Sequence, residues 1–429
     1  MRVARGGLLL GMLAVTVSGC GLLHLKREMQ QAHQELVLIA GRLESSDSGR
    51  DALVALLDEH GKLLRYRIAA PGERFYFTEA PGNYQLLAFD DRNGNFALDP
   101  DEPRQWLPQV RSSTLQMQPD AAARERLGQL NPIDLAITDL ATAPALDLSL
   151  EVLYREQPRL QSNYLQPVSF DDPRFDSASI KLGAWQPLTF LRQLGYGLYL
   201  LEPWDPDKEP IFLVHGINSS PRDFKSLASG LDHKRFQLLL FHFPSGVPLN
   251  NSAYMLSLGI RDVQRRYAPA RVHVLAHSMG GLVARRALQL LSDDDRRSLC
   301  LFITLSTPWA GHPSAAAGLR RVPVEVPVWR DLAPGSPYLQ QLFAHPLPAS
   351  IQQWLLVSYA GNSRLLPEPN DGVVPVASQL RDAAQDEATH LYLLNDSHAG
   401  ILQSSRAATL LKRAFTQLPE HGCEAPSPP

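Results

Sequence analysis

Val274-Leu275-Ala276-His277-Ser278-Met279-Gly280-Gly281 places a serine between small residues, with Ala276 two positions before it and Gly280 two positions after. VHVLA ahead of it reads as a strand and GGLVARRALQLL behind it as a helix. A turn that sharp needs small neighbours, and it lifts the serine hydroxyl clear of the backbone. A serine hydroxyl is a weak nucleophile until a base takes its proton. The chemistry therefore calls for a histidine and a group to orient it. Downstream histidines are His312, His345, His390, His398 and His421.

The elements that must position these groups alternate between short apolar runs and helical patterns. Apolar runs occur at Ile211–Val214, Gln237–Phe243 (QLLLFHF), Val272–Ala276, 299–305 (LCLFITL), 354–361 (WLLVSYAG) and 390–395 (HLYLLN). Helical patterns run from about Ser252 to Tyr267, from Gly280 to Leu291, and around 404–417. Continuous apolar strands with helices between them predict a doubly wound, mostly parallel α/β sheet covered on both faces.

With the serine on a strand–turn–helix in that setting, the chain resembles an α/β-hydrolase of the lipase/esterase type, Ala276 standing where the usual pattern has glycine. The resemblance implies the chain order nucleophile, acid, histidine. Ser278 is then the nucleophile and His398, in NDSHAGI just past the last strand, the base. His390 opens that strand and belongs to the opposite edge, and His312 comes too soon after LCLFITL. The run NDGVVPV resembles the lipase segment that carries the acid, which makes Asp371 the carboxylate that orients His398; Asp396 is the alternative. The family pattern also implies two backbone donors for the oxyanion, from Met279 and from Ile217 in IFLVHGINSSP. His215 reads as a structural loop residue, and His277, beside the nucleophile on a tight turn, as a poor base.

Residues 307–350 form a long insert rich in Pro, Trp, Leu and Val, read as a lid or acyl-binding wall. Apolar walls suit a hydrophobic ester substrate. The expected activity is hydrolysis of carboxylic, lipid-like esters through an acyl-enzyme, with no cofactor. The alternatives are an acyltransferase on the same groups, or a non-catalytic binding lipoprotein on a hydrolase-like fold.

Ahead of this catalytic domain (165–420), residues 35–110 show short strand signals separated by Gly and Pro turns, which predict a small all-β sandwich. The piece APGNYQLLAFDDRNGN resembles prealbumin-like or carboxypeptidase-regulatory-like modules of secreted proteins. Within it Asp91, Asn93, Asn95, Asp99 and Glu102 fall at the spacings of a Ca²⁺ loop, but Phe96 stands where the turn glycine should be. A solvated hairpin loop is the preferred reading and a calcium site the weaker one. Residues 111–164 read as a connecting region with helix-like polar runs, and 421–429 as a tail.

Residues 1–19 carry two arginines, an apolar run from Leu8 to about Val17 too short to span a bilayer, and small residues before Cys20. This resembles the bacterial lipoprotein signal, which implies cleavage and acylation at Cys20, followed by a polar tether over 20–34. Gly21 after the cysteine favours the outer membrane, facing the periplasm. Of the remaining cysteines, Cys300 and Cys423 could pair in an oxidising compartment, although Cys300 also reads as a buried small hydrophobe, and the sequence leans that way. A net charge of −3 and the lack of a basic tract argue against a nucleic-acid partner. At 44% hydrophobic and 20% charged residues, the chain has the composition of a globular protein with a sizeable core.

Overall fold

The computed structural model describes residues 21–28, 37–46, 52–79, 82–93, 95–111, 133–137, 143–146, 164–321, 326–361, 363, 366, 368–418 and 423. The leader and Cys20 lie outside the described residues, as do much of the connecting region and most of the tail. No described helix is long and apolar enough to cross a membrane. Two compact units emerge: Met1–Arg27 with Pro167–Ser257 and Pro269–Pro429, and Glu28–Gln166 with Leu258–Ala268.

The smaller unit holds two sheets. In one, β1 (Val37–Ser46) pairs antiparallel with β4 (Arg74–Glu79). In the other, β2 (Ala52–Asp58) lies between β3 (Leu63–Ala69) and β5 (Asn83–Phe89), and β6 (Arg104–Arg111) flanks β5. Ile39, Leu43, Val54, Leu56, Phe75, Phe77, Leu86 and Ala88 from both sheets share one core, as alternate residues of strands facing each other should. Two features depart from the sequence expectation. The connecting region contributes a strand, β7 (Ile133–Ile137), which joins β1 in parallel. The end of the long helix Leu249–Tyr267, expected to belong wholly to the catalytic domain, groups with this unit instead. There Arg261 meets the Glu73 carboxylate at 3.0 Å, while Arg266 pairs with Asp262 at 3.0 Å and lies 3.8 Å from the Phe96 ring centroid.

The acidic loop is tied together by hydrogen bonds to its own carboxylates. Asp91 accepts from the Asn95 and Phe96 amides, Glu102 from the Arg92 and Asp99 amides, and Asp99 from the side-chain amides of Asn93 and Asn95. These bonds close a hairpin loop, and no group of three or more His, Cys, Asp and Glu side chains among the described residues is placed to hold a metal. Phe96, where a calcium loop has glycine, is buried at 5% exposure with φ 62°.

The larger unit is built on an eight-stranded sheet in the order β15-β14-β13-β12-β10-β11-β9-β8. Its strands are β8 (Tyr164–Pro167), β9 (Gly197–Leu200), β10 (Glu209–Val214), β11 (Phe236–His242), β12 (Val272–His277), β13 (Leu299–Leu305), β14 (Gln352–Ser358) and β15 (His390–Leu394). From β10 to β15 all pairings are parallel, and β9 runs antiparallel to β11. Strands β11 through β14 are buried along their length, which explains why their sequences read as unbroken apolar runs. Cys300 and Cys423 form a disulfide across 123 residues, where the sequence leaned toward a free Cys300. The two meet because β13 carries Cys300 into the same core as the last described residue.

Candidate active site

The order in which strands join the sheet reverses at β10, which has β11 on one side and β12 on the other. In open α/β sheets the loops past the strand carboxyl ends part at such a point, leaving a crevice for ligand. Every residue named for chemistry lies just past one of those ends. His215–Ile217 follow β10, Ser278 follows β12, Asp371 lies beyond β14 and His398 beyond β15.

Ser278 has φ 55° and ψ −131°, outside ordinary backbone space for a residue with a Cβ. The helix Met279–Leu290 starts immediately after it, so its Oγ stands over a helix N-terminus. The strain is held by close packing: a Cβ added at Gly280 would lie 2.2 Å from the Val214 carbonyl oxygen and 2.5 Å from that of His215. Gly216 also comes close, since a Cβ added there would be 2.8 Å from the Ser278 Cβ. Only glycine permits both approaches. Met279, as the first helical residue, has no carbonyl one turn back for its amide.

His398 Nε2 lies 2.9 Å from Ser278 Oγ, and His398 Nδ1 lies 2.8 Å from Asp371 Oδ2. With Nδ1–H donating to the carboxylate, Nε2 is left to accept the serine proton. The backbone reinforces this contact, with the His398 amide donating to the Asp371 carbonyl at 2.9 Å. Thus three groups spread over 120 residues of chain meet in one buried line. Asp396, the alternative acid, contributes only its carbonyl, to the Ala360 amide at 2.9 Å.

Asp371 is held by more than the histidine. Its Oδ1 accepts from the Val373 and Val374 amides at 3.0 and 2.7 Å, and its Oδ2 from Ser358 Oγ at 2.6 Å and Gln379 Nε2 at 3.0 Å. Burial by itself would raise the carboxyl pKa. The neighbouring His398, the Ser358 hydroxyl and the Val374 amide outweigh it, and the group sits below its ordinary value. Ser306, at φ 53°, places its own hydroxyl 2.6 Å from that of Ser358 and extends the chain of bonds. Sequence reading missed Ser306, Ser358 and Gln379. Their signal is only a serine at the end of each of two apolar runs, which becomes meaningful once β13 and β14 are neighbours.

The other histidines are structural. Burial pushes His277 down to about 3, so it is neutral, and its Nε2 donates to the His398 carbonyl at 2.9 Å. Burial likewise takes His215 down to about 4, and its Nδ1 donates to the Gly216 carbonyl at 2.9 Å. His312 is the N-cap of the helix Pro313–Leu319. Its Nδ1 accepts from the Ser314 amide, and its Nε2 donates to the Val373 carbonyl at 2.6 Å, pinning the loop that carries Asp371. His390 opens β15, at the far edge from Ser278, as its position in the sequence predicts.

The insert folds as three short helices, Pro313–Leu319, Pro327–Leu332 and Pro337–Leu342, each with proline in its first turn, where a missing amide hydrogen costs nothing. Beside Ile217 it helps to enclose a narrow crevice. Trp185, Val326, Val328 and Trp329 supply apolar walls, and Asn218 and Ser245 the polar ones. The two indoles meet edge to face at 6.4 Å.

The family model described as a PGAP1-like alpha/beta domain matches residues 205–319, which run from β10 through the nucleophile turn into the insert. No curated protein matches the chain. Among solved structures it is similar to the mature lipase BlEst2 of Bacillus licheniformis, with 19% identity over 50% of this chain and 93% of that one, at a TM-score of 0.40. It is also similar to the Pyrococcus furiosus esterase PF2001, with 16% identity over 49% of this chain and 83% of that one and a TM-score of 0.35. Phospholipase PlaB of Legionella pneumophila gives 16% identity over 48% of this chain and 59% of that one, with a TM-score of 0.39. With a mostly parallel eight-stranded sheet and a serine on the sharp turn after its central strand, the larger unit has the α/β-hydrolase fold.

Proposed function

We propose that the protein is a membrane-anchored serine hydrolase that cleaves lipid-like carboxylic esters through an acyl-enzyme. The observation that carries this reading is the unbroken line of hydrogen bonds from Ser278 Oγ through His398 to Asp371. In the reaction, Ser278 Oγ bonds to the ester carbonyl carbon as its proton passes to His398 Nε2. The resulting oxyanion takes hydrogen bonds from the Ile217 and Met279 amides, each worth about 3–4 kcal/mol in the transition state. Collapse breaks the ester C–O bond, and the leaving alcohol takes the proton back from His398. Water then attacks the acyl-serine, giving its proton to His398, and the carboxylic acid departs as Ser278 recovers its hydrogen. Asp371 stabilises the imidazolium in both halves without itself being protonated.

The apolar side chains of Trp185, Val326, Val328 and Trp329 near Ile217 suit a hydrophobic ester. The lipoprotein-like leader adds acylation at Cys20 and a periplasm-facing outer-membrane location to the proposal. A fluorophosphonate probe tests the chemistry: it should label the intact protein and leave Ser278→Ala unlabelled. An unlabelled intact protein would favour the binding-lipoprotein reading. Membrane fractionation tests the anchor, since Cys20→Ser should move the protein to the soluble fraction.

A further inference from the structure

Ser278 and His398 stand on strands that are not neighbours. Ser278 follows β12 and His398 lies beyond β15, with β13 and β14 between them in the sheet. Adjacent strands lie about 4.8 Å apart, so the loop after β15 reaches back across roughly 14 Å to bring Nε2 to the serine. Its backbone is held on both sides of the base. The His398 amide donates to the Asp371 carbonyl, and the His398 carbonyl accepts from His277 Nε2 at 2.9 Å. His277 is the last residue of β12, directly ahead of the nucleophile, and pairs with Leu305 of β13. Its ring is buried, with its centroid 4.8 Å from that of His398. Its Nδ1 meets no hydrogen-bond partner among the described residues, so the bond to the His398 carbonyl is the polar contact of that ring.

We propose that His277 is a positioning residue for the reaction: through the His398 carbonyl it ties the loop of the base to the strand of the nucleophile, and so fixes how His398 Nε2 stands toward Ser278 Oγ. The inference rests on the hydrolase reading above. Nε2 has to serve the serine, the leaving alcohol and water in turn, so no permanent bond at that atom can hold the ring. Asp371 holds the other nitrogen. A grip on the backbone carbonyl steadies the residue without engaging either ring nitrogen. The donor also has to be uncharged, because His398 becomes an imidazolium in each half of the reaction and a cation so close would oppose it. Burial, with His398 beside it, pushes His277 down to about 3, so it donates as a neutral imidazole. A lysine or arginine there would bring the hydrogen bond and the opposing charge together.

The test uses the full chain, with p-nitrophenyl butyrate turnover and the rate of fluorophosphonate labelling both counted per serine that finally labels, so that an unfolded fraction does not register. His277→Phe keeps the ring and loses the donor. It should lower kcat and the labelling rate by about 10- to 100-fold with KM unchanged. His277→Asn and His277→Gln separate the hydrogen bond from packing, and they decide the matter if the Phe variant does not accumulate. The Asn amide falls one methylene short of the carbonyl and should behave like Phe, whereas the Gln amide reaches it and should restore most of the lost rate. Parent-like kcat in the Phe or Asn variant, equal losses in Asn and Gln, or a rise in KM with kcat held would each overturn the inference and leave the hydrolase reading standing. A parent protein that neither turns over the ester nor labels would remove both together.

Discussion

The Asp371 carboxylate receives five hydrogen bonds, of which one comes from His398. Such over-determination has a purpose at a buried carboxylate. Each donor favours the ionised form, and an ionised acid is what stabilises the imidazolium. Ser358 is the donor most open to test, because its hydroxyl can be removed without disturbing the backbone of β14. Hydrogen bonds to charged groups contribute about 1.5–3 kcal/mol. Ser358→Ala should therefore lower kcat by about tenfold or more with KM little changed, and steady-state kinetics across a chain-length series will show the split. If KM rose instead while kcat held, Ser358 would be acting on substrate binding and not on the acid. Ser278, His398 and Asp371, the three side chains the model brings together, were legible in the sequence because each stands in a local pattern: an elbow, a loop past a strand, an NDG turn. Ser358 and Gln379 stand in no such pattern. What makes them matter is the proximity of β14 to the acid loop, which no spacing records.

At the scale of elements, the strand–turn–helix around Ser278 is the strained piece, and its neighbours hold it in place. Gly280 lets the helix start slide under β10. Gly280→Ala would force a methyl carbon to within 2.2 Å of a backbone oxygen that cannot move independently of its strand. Overpacking of this kind costs about 3 kcal/mol or more. Thermal unfolding should show a large loss of Tm, or the variant should not accumulate as soluble protein; a Tm within a degree of the parent would contradict the packing described. The insert's helices were readable only as a Pro- and Trp-rich excursion. Arg285 shows what joins them to the sheet: it is 1% exposed, donates to the Leu342 carbonyl and meets Glu387 at 2.7 Å. A buried arginine on the apolar face of a helix looks like an error of pattern until Leu342 of the insert and Glu387 beyond it supply its partners. The element boundaries themselves moved by a few residues at most, as with the long helix, expected from Ser252 and observed from Leu249.

For the whole molecule, two predictions follow from groups spread through the larger unit. The Cys300–Cys423 bond ties the end of the catalytic unit to its sheet across 123 residues. Cys423→Ser should cost about 2–4 kcal/mol by denaturant unfolding, with the reduced parent behaving alike; equal midpoints with and without reductant would mean that the bond does not form. The second concerns pH. His215 and His277 are held by burial at about 4 and about 3, below the 6.5 of a free imidazole, and Asp371 also lies below its ordinary value. In each case the unfolded chain binds protons first. Stability is therefore full above about pH 6.5 and falls as the pH drops toward 3, at about 1.4 kcal/mol per pH unit for each group displaced. Urea midpoints that stay flat between pH 7 and pH 4 would refute this. By itself the sequence determined the class of sheet and singled out Ser278, Asp371 and His398, because apolar runs, sharp turns and residue order are local properties of a chain. Tertiary structure alone decided that Ser358 would brace the acid, that Cys300 would find Cys423, and that β7 would join β1. Each of these depends on which segments become neighbours, and that is settled by burial summed over the whole core, which no stretch of sequence carries.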